Sequence, residues 1–391
     1  MVGLTVSNET KLRNIFYESA FAALSQCYLF DSDKAIMPGG RNGPYLDLES
    51  PLRNTAHWLV TFAIAYHLSS EPKFLQMGKK LCNFLLADNQ FSFGSKAVFR
   101  QIAGKSWCNG VIGHAWIAEG LVYSGRLLNM ENARWAAVDL LESIPFDYKR
   151  GLWNRIDPIL GDIGADLTYN HQSWFASIAA EAGDSSDKLK TKVRRFLDVS
   201  LKVAFDVAPN GLIAHSVQGV GNIERLKYIK PRLRLKLAQK LSLTDPLSHN
   251  GHERDLGYHL FVLYSMARLR LVIPDHQLWN ENRVQRALEL ASSDDFFSSL
   301  DDNHYAYPYN APGLEYPMIS EVFRDLTPHI DRYVQRAIET QINKTWSDDA
   351  LNFTRGTYDS ATLSARLYEI GIMLLYTNSS TVTSKQAQNN Q

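Results

Sequence analysis

The strongest constraint on this chain is an alternation of two kinds of helical segment. Apolar residues recur at three and four positions in Phe16–Tyr28, Phe74–Leu86, Trp135–Leu141 and Val193–Phe205. Each of these has a charged opposite face, as surface helices do. Between them stand segments that are apolar nearly all round: HWLVTFAIAYHL from His57, VIGHAWIAEGLV from Val111, SWFASIAA from Ser173, YHLFVLYSMARL from Tyr258 and ARLYEIGIMLLY from Ala365. Helices without a polar face belong inside a larger layer. Inner helices are expected to start near Arg53, Gly110, Asn170, Arg254, Leu314 and Ser360. An opening helix at about 8–30 closes the ring, and 328–342 supplies the outer partner of the fifth inner helix. The economical arrangement is all-α, an (α/α)6 toroid of six helical hairpins read from periodicity, since no side-chain repeat is visible.

With 391 residues, 45% hydrophobic and 21% charged, the chain supports a large buried core. It reads as one toroid over 1–376 carrying a basic insertion at about 208–248, followed by a polar, low-complexity tail at 377–391 that is expected to be disordered. Lys plus Arg total 41 against 41 Asp plus Glu, which removes the global basic field of a nucleic-acid protein. The start, MVGLTVSNETKLRNIF, shows no charged leader followed by an apolar run. The most apolar stretch, Trp58–Tyr66, is far shorter than the roughly 20 residues of a membrane span. Cys27, Cys82 and Cys108 lack metal or disulfide spacing, so the expected compartment is reducing and cytoplasmic. Neither a phosphate-binding loop nor a dinucleotide fingerprint occurs, and no cofactor or metal is expected.

RNTAHWLVTFAIAYHL from Arg53, SWCNGVIGHAWIAEGL from Ser106, YNHQSWFA from Tyr169 and HERDLGYHLFVLYSMARL from His252 resemble inner-helix segments of the six-hairpin carbohydrate-active proteins. That superfamily includes unsaturated glucuronyl hydrolases, uronate epimerases, polysaccharide lyases and glycan-assembly-cluster proteins. The resemblance covers about residues 50–375. It implies a sugar site in the toroid mouth, at the N-termini of the inner helices.

Several clusters fall at those starts. Asn170, His171, Gln172 and Trp174 place two amides, an imidazole and an indole within about a turn and a half of helix; they can ligate hydroxyls and stack on a ring, or cap and pack. His249, His252, Glu253 and Asp255 precede Tyr258, where the carboxylates either act in chemistry or cap the helix. The segment Gly151–Tyr169 reads as a long loop bearing Arg155, Asp157, Asp162 and Asp166. His57, Trp107, Asn109 and His114 suggest a sugar subsite together. Glu119, inside an apolar helix, needs an Arg partner. Arg355 offers a fork for a uronate carboxylate, with Tyr358 and Asp359 beside it. His304, Tyr305, Tyr307 and Tyr309 read as a lid.

A glycoside hydrolase acting on an acidic oligosaccharide or polysaccharide is the leading expectation, with Asp166 and Glu253 as the carboxyl pair. The alternatives are a lyase or uronate C5-epimerase in which His171 or Tyr258 removes the proton next to a carboxylate, and a glycan-binding or assembly scaffold without catalysis. Arg225–Lys240 has seven basic and no acidic residues, a solvated amphipathic face or a docking surface for an anionic membrane or glycan. Oligomeric state is left open.

Overall fold

The computed structural model describes residues 6–87, 91–93, 96–217 and 251–389. The basic segment Arg225–Lys240 and His249 lie outside the described residues.

The inner helices begin where the apolar runs begin. They are α2 (Leu52–Ser69), α4 (Gly110–Leu127), α6 (Tyr169–Ala182), α8 (Gly251–Val272), α11 (Pro312–Phe323) and α14 (Tyr368–Asn389). Each packs on the next in that order, and α14 packs back on α2, so the ring closes. The amphipathic helices form the outer layer: α1 (Val6–Leu24) on α14, α3 (Pro72–Leu86) on α2, α5 (Glu131–Ser143) on α4, α7 (Asp187–Val199) on α6, α9 (Asn282–Ala291) on α8 and α12 (Val334–Thr345) on α11. A short α10 (Asp294–Ser299) follows α9. This is the (α/α)6 toroid expected from the periodicity.

Local chemistry fixes several ends. Pro72 opens α3 with Glu71 accepting from the Lys73 N–H, and Ser186 caps α7 by accepting from the Leu189 N–H. Ser70 ends α2 in the left-handed region, at φ 59°.

Three expectations are corrected here. Gly151–Tyr169 is not an irregular loop: Phe146–Asp147, Leu152–Asp157 and Gly161–Ala165 form a three-stranded antiparallel ribbon. Asp157 makes its turn by accepting from the Ile159 and Leu160 N–H groups. The last inner helix is broken, α13 (Ser360–Ala365) being followed by α14. The tyrosines 305, 307 and 309 are not a lid: they are 1, 1 and 5% exposed and built into the wall.

Below the mouth the ring interior holds two ionic sets. Arg268 of α8 binds Glu119 of α4 at 2.5 Å and Glu181 of α6 through two nitrogens at 2.7 and 2.8 Å, which supplies the partner Glu119 requires. Arg366, at the break before α14, reaches Glu315, Glu369 and Asn310. All four carboxylates and both guanidiniums are buried. Burial pushes the Glu369 carboxyl up to about 8, with Glu315 adding to the rise and Arg366 opposing it.

Candidate active site

Residues of α2, α4, α6 and α8, with the segments before α2, α4, α6, α8 and α11, line a cavity of about 300 Å³. Its cations are Arg53, Arg100 and Lys105, and its imidazoles are His171 and His215. Tyr45, Trp116, Tyr258, Phe261 and Tyr309 supply ring surface, and asparagines 42, 109, 170 and 310 supply amides. Asn170 Oδ1 and His215 Nδ1 are buried and lack hydrogen-bond partners among the described residues. Polar atoms left so in a cavity wall suit a polar ligand.

Asp166 and His171 form a close carboxylate–imidazole pair at this cavity. Asp166, 3% exposed, contacts His171 Nδ1 through Oδ2 at 2.9 Å. The same oxygen accepts from the Val111 N–H at 2.9 Å, and Oδ1 accepts from the Thr168 N–H at 3.1 Å. Burial alone would raise the Asp166 carboxyl, but His171, Arg155 and the Val111 N–H together hold it well below the usual carboxylate range. Asp166 is therefore ionised and both its oxygens are occupied. Such a carboxylate fixes the imidazole with Nδ1 protonated and leaves Nε2 to exchange protons. Gly110, at φ 74°, makes the approach possible: a Cβ there would stand 2.3 Å from Asp166 Oδ2 and 2.4 Å from His171 Nδ1.

Arg53 is 3% exposed, with its guanidinium 4.1 Å from the Trp116 ring centroid and Nη1 on Glu49 Oε2 at 3.2 Å. His57 stacks on Tyr368, and burial first, then Arg53 and Arg366, drive its pKa well below the ordinary value. It is a neutral support under Arg53. His215 is pushed down to about 3 by burial, with Arg254 and His171 contributing. The Tyr258 phenol rises well above 10 through burial and the neighbouring Tyr309 and Tyr45, so it is a proton donor rather than a base.

Of the residues singled out in the sequence, Asn109, Asn170, His171, Tyr258 and Tyr309 line the cavity, and Asp166 lies directly behind it. Others do not line it. Glu253 accepts the His304 N–H at the rim, and its backbone carbonyl accepts from Asn303. His252 is exposed. Gln172 is fully buried, clamping the Trp153 backbone and the Asp166 carbonyl. Trp174, also fully buried, stacks on Phe261 and Tyr264. Trp107 is half-buried, its backbone N–H given to Asp157. Arg355 is exposed on the Asn343 carbonyl, and Tyr358, 49% exposed, meets His304 Nδ1. Asp359 caps α13 and accepts from the backbone N–H groups of Arg41 and Gly43.

The sequence reading missed Arg100, Lys105 and His215 altogether and took Arg53 only as a helix start. Arg100 and Lys105 stand in an aperiodic polar stretch just ahead of α4, which was their one visible signal.

No protein-family model matches the chain. Archaeal glycosylation protein Q of Haloferax volcanii is 36% identical over 368 residues, covering 92% of this chain and 96% of that protein. A cellobiose 2-epimerase from Bacillus thermoamylovorans superposes with a TM-score of 0.60 at 12% identity, over 94% of this chain and 99% of that one. A D-mannose isomerase does so with a TM-score of 0.59 at 12% identity, over 94% and 98%. The two structures share the toroid. The identity to the haloarchaeal protein, sustained over nearly the whole of both chains, goes further: this chain belongs to the family of archaeal glycosylation protein Q.

Proposed function

We propose that the protein is a sugar epimerase or isomerase, moving a proton at a carbon next to a carbonyl or carboxylate, and that its substrate belongs to a glycan or a glycan precursor. The observation that carries this reading is the Asp166–His171 pair, set against a cavity whose lining among the described residues contains no carboxylate. Hydrolysis through two carboxyls needs one protonated acid and one ionised partner across the scissile bond. Asp166 is held ionised under His171, and Glu253 is engaged at the rim. A His–Asp pair suits proton abstraction instead.

His171 Nε2 takes the proton from carbon, while Asp166 keeps Nδ1 protonated and offsets the imidazolium charge. Arg53, Lys105 and the neutral Tyr258 hydroxyl, all in the same cavity, supply charge and a donor for the oxygen that becomes negative. Return of the proton from His171 to the neighbouring carbon gives isomerisation; epimerisation needs a different proton delivered to the opposite face by a second donor, a role open to the Tyr258 hydroxyl in the same cavity. The cavity volume sits at the lower end of the roughly 300–1,000 Å³ of small-molecule sites, which suits one sugar ring better than a long polymer. The relative named for glycosylation and the neighbours named for sugar isomerisation and epimerisation support the same class.

The test is incubation in D2O with a panel of free hexoses and uronic sugars, followed by NMR. The expected result is deuterium at one carbon together with a new stereoisomer or keto sugar. New reducing ends from oligosaccharides without exchange would replace this reading with hydrolysis, and a new unsaturated product would replace it with elimination.

A further inference from the structure

The charges around the cavity do not cancel evenly. Glu49 faces Arg53 at 3.2 Å, with side chains 0 and 4% exposed, and the buried Asp359 carboxylate adds its field to both. Asp166 faces His171. Asp47, whose side chain is 6% exposed, instead serves two cations: Oδ2 meets Arg100 Nη1 at 3.0 Å and Lys105 Nζ at 2.8 Å, and Oδ1 meets Lys105 Nζ at 2.7 Å. Asn42 Nδ2 completes the set on Oδ2 at 3.3 Å. Within this set one carboxylate faces two cations, so a surplus positive charge is local to Arg100 and Lys105.

The surplus is reachable. Arg100 spends Nε on the Ser106 carbonyl and Nη1 on Asp47, and its Nη2 carries no hydrogen bond among the described residues. The Lys105 side chain is 34% exposed, with its ammonium 5.7 Å from the Tyr45 ring centroid. Arg53 lies deeper, with Nη1 on Glu49, Nε beside His57 and its face on Trp116. Arg355, the guanidinium that the sequence offers for a carboxylate, lies outside the cavity.

We propose that Arg100 and Lys105 form an anion subsite for the carboxylate of a uronic sugar. A singly charged, planar carboxylate matches a single surplus charge and gains charge-assisted bonds from Nη2 and the ammonium. Asp47 holds both cations in place from behind. This deepens the proton-transfer reading and rests on it for the catalytic role, since the sugar so anchored shares the cavity with His171.

The test is calorimetric titration of the full chain with sodium D-glucuronate, D-glucose and D-glucose 6-phosphate. Glucuronate is expected to bind about tenfold tighter than glucose, and the advantage to shrink as salt rises. Lys105→Gln should abolish that advantage and Lys105→Arg restore it. The double variant Asp47→Asn, Lys105→Gln is a folding control that leaves one cation and no carboxylate. It should bind glucuronate better than Lys105→Gln does. Equal binding of glucuronate and glucose overturns the subsite, and tighter binding of the phosphosugar overturns its assignment to a carboxylate. Preference for glucuronate without solvent exchange keeps the subsite and rejects the proton-transfer reading. Exchange on glucose and glucuronate alike, with equal affinity, does the reverse.

Discussion

The floor and the mouth of the toroid use the same residue types in opposite proportions. On the floor, Arg268 and Arg366 each face two glutamates. At the mouth, one aspartate faces both Arg100 and Lys105. A dry interior cannot keep an excess of one charge, so the surplus is removed by holding a proton, and Glu369 is raised to about 8 for this reason. Glu315 Oε2 and Glu369 Oε2, both without hydrogen-bond partners among the described residues, fit a proton retained there. A wet cavity can keep its surplus and present it to a ligand. The ratio of cations to carboxylates therefore separates the part of the ring that holds it together from the part that recognises something.

The sharpest way to break this comparison is to remove a floor cation. Arg268→Met should cost about 3–5 kcal/mol, because it strands Glu119 and Glu181 in a buried site. A Tm within a degree of wild type would show the floor to be solvated and the contrast false. At the mouth the effect should fall on turnover instead. His171→Ala is expected to lower kcat by about 10² to 10⁴-fold, while its urea midpoint stays near that of wild type. A variant that loses activity only in proportion to a loss of stability would make His171 a structural group.

The smallest effect sharpens the contrast most. A Glu369 carboxyl raised to about 8, against about 4.3 in the unfolded chain, contributes stability that is fully present below pH 4.3 and is lost as the pH rises through 8. Glu369→Gln should therefore change stability by less than about 1 kcal/mol near pH 4, where the carboxyl is protonated in both the folded and the unfolded chain. It should also flatten the decline of Tm between pH 6 and 9. An unchanged pH slope would show that the proton of the Arg366 set resides elsewhere.

The ring was legible in the sequence because full burial of a helix leaves an unmistakable trace. The starts read near Arg53, Gly110, Asn170 and Leu314 fall within two residues of the observed helix ends, and the one near Arg254 within three. The site was legible only where it sits on those starts, as with Asn109, His171 and Tyr258. Trp174 looked like a stacking ring but stands nearly one turn deeper than His171, in the wall against Phe261. Asp166 lies beside His171, five residues away in sequence, but spacing does not reveal that both its oxygens are already occupied. The Arg100 and Lys105 set escaped notice because its meaning lies in a shared partner, Asp47, more than fifty residues earlier in the chain.

Asp359 joins the two ends of the polypeptide at the mouth. Its carboxylate takes the backbone N–H of Arg41 across 318 sequence positions, and that of Gly43 across 316. The strap that brings Asn42, Tyr45 and Asp47 to the cavity is thus tethered by a residue synthesised long after it. Loops of that length close late, since the entropy of closure must be met before the contact rewards it. On the ribosome, where earlier segments fold first, nearly the whole ring emerges before its pocket can be tied shut. Ligand binding therefore reports completion of the circle, and chains interrupted ahead of Asp359 should be helical yet blind to sugar.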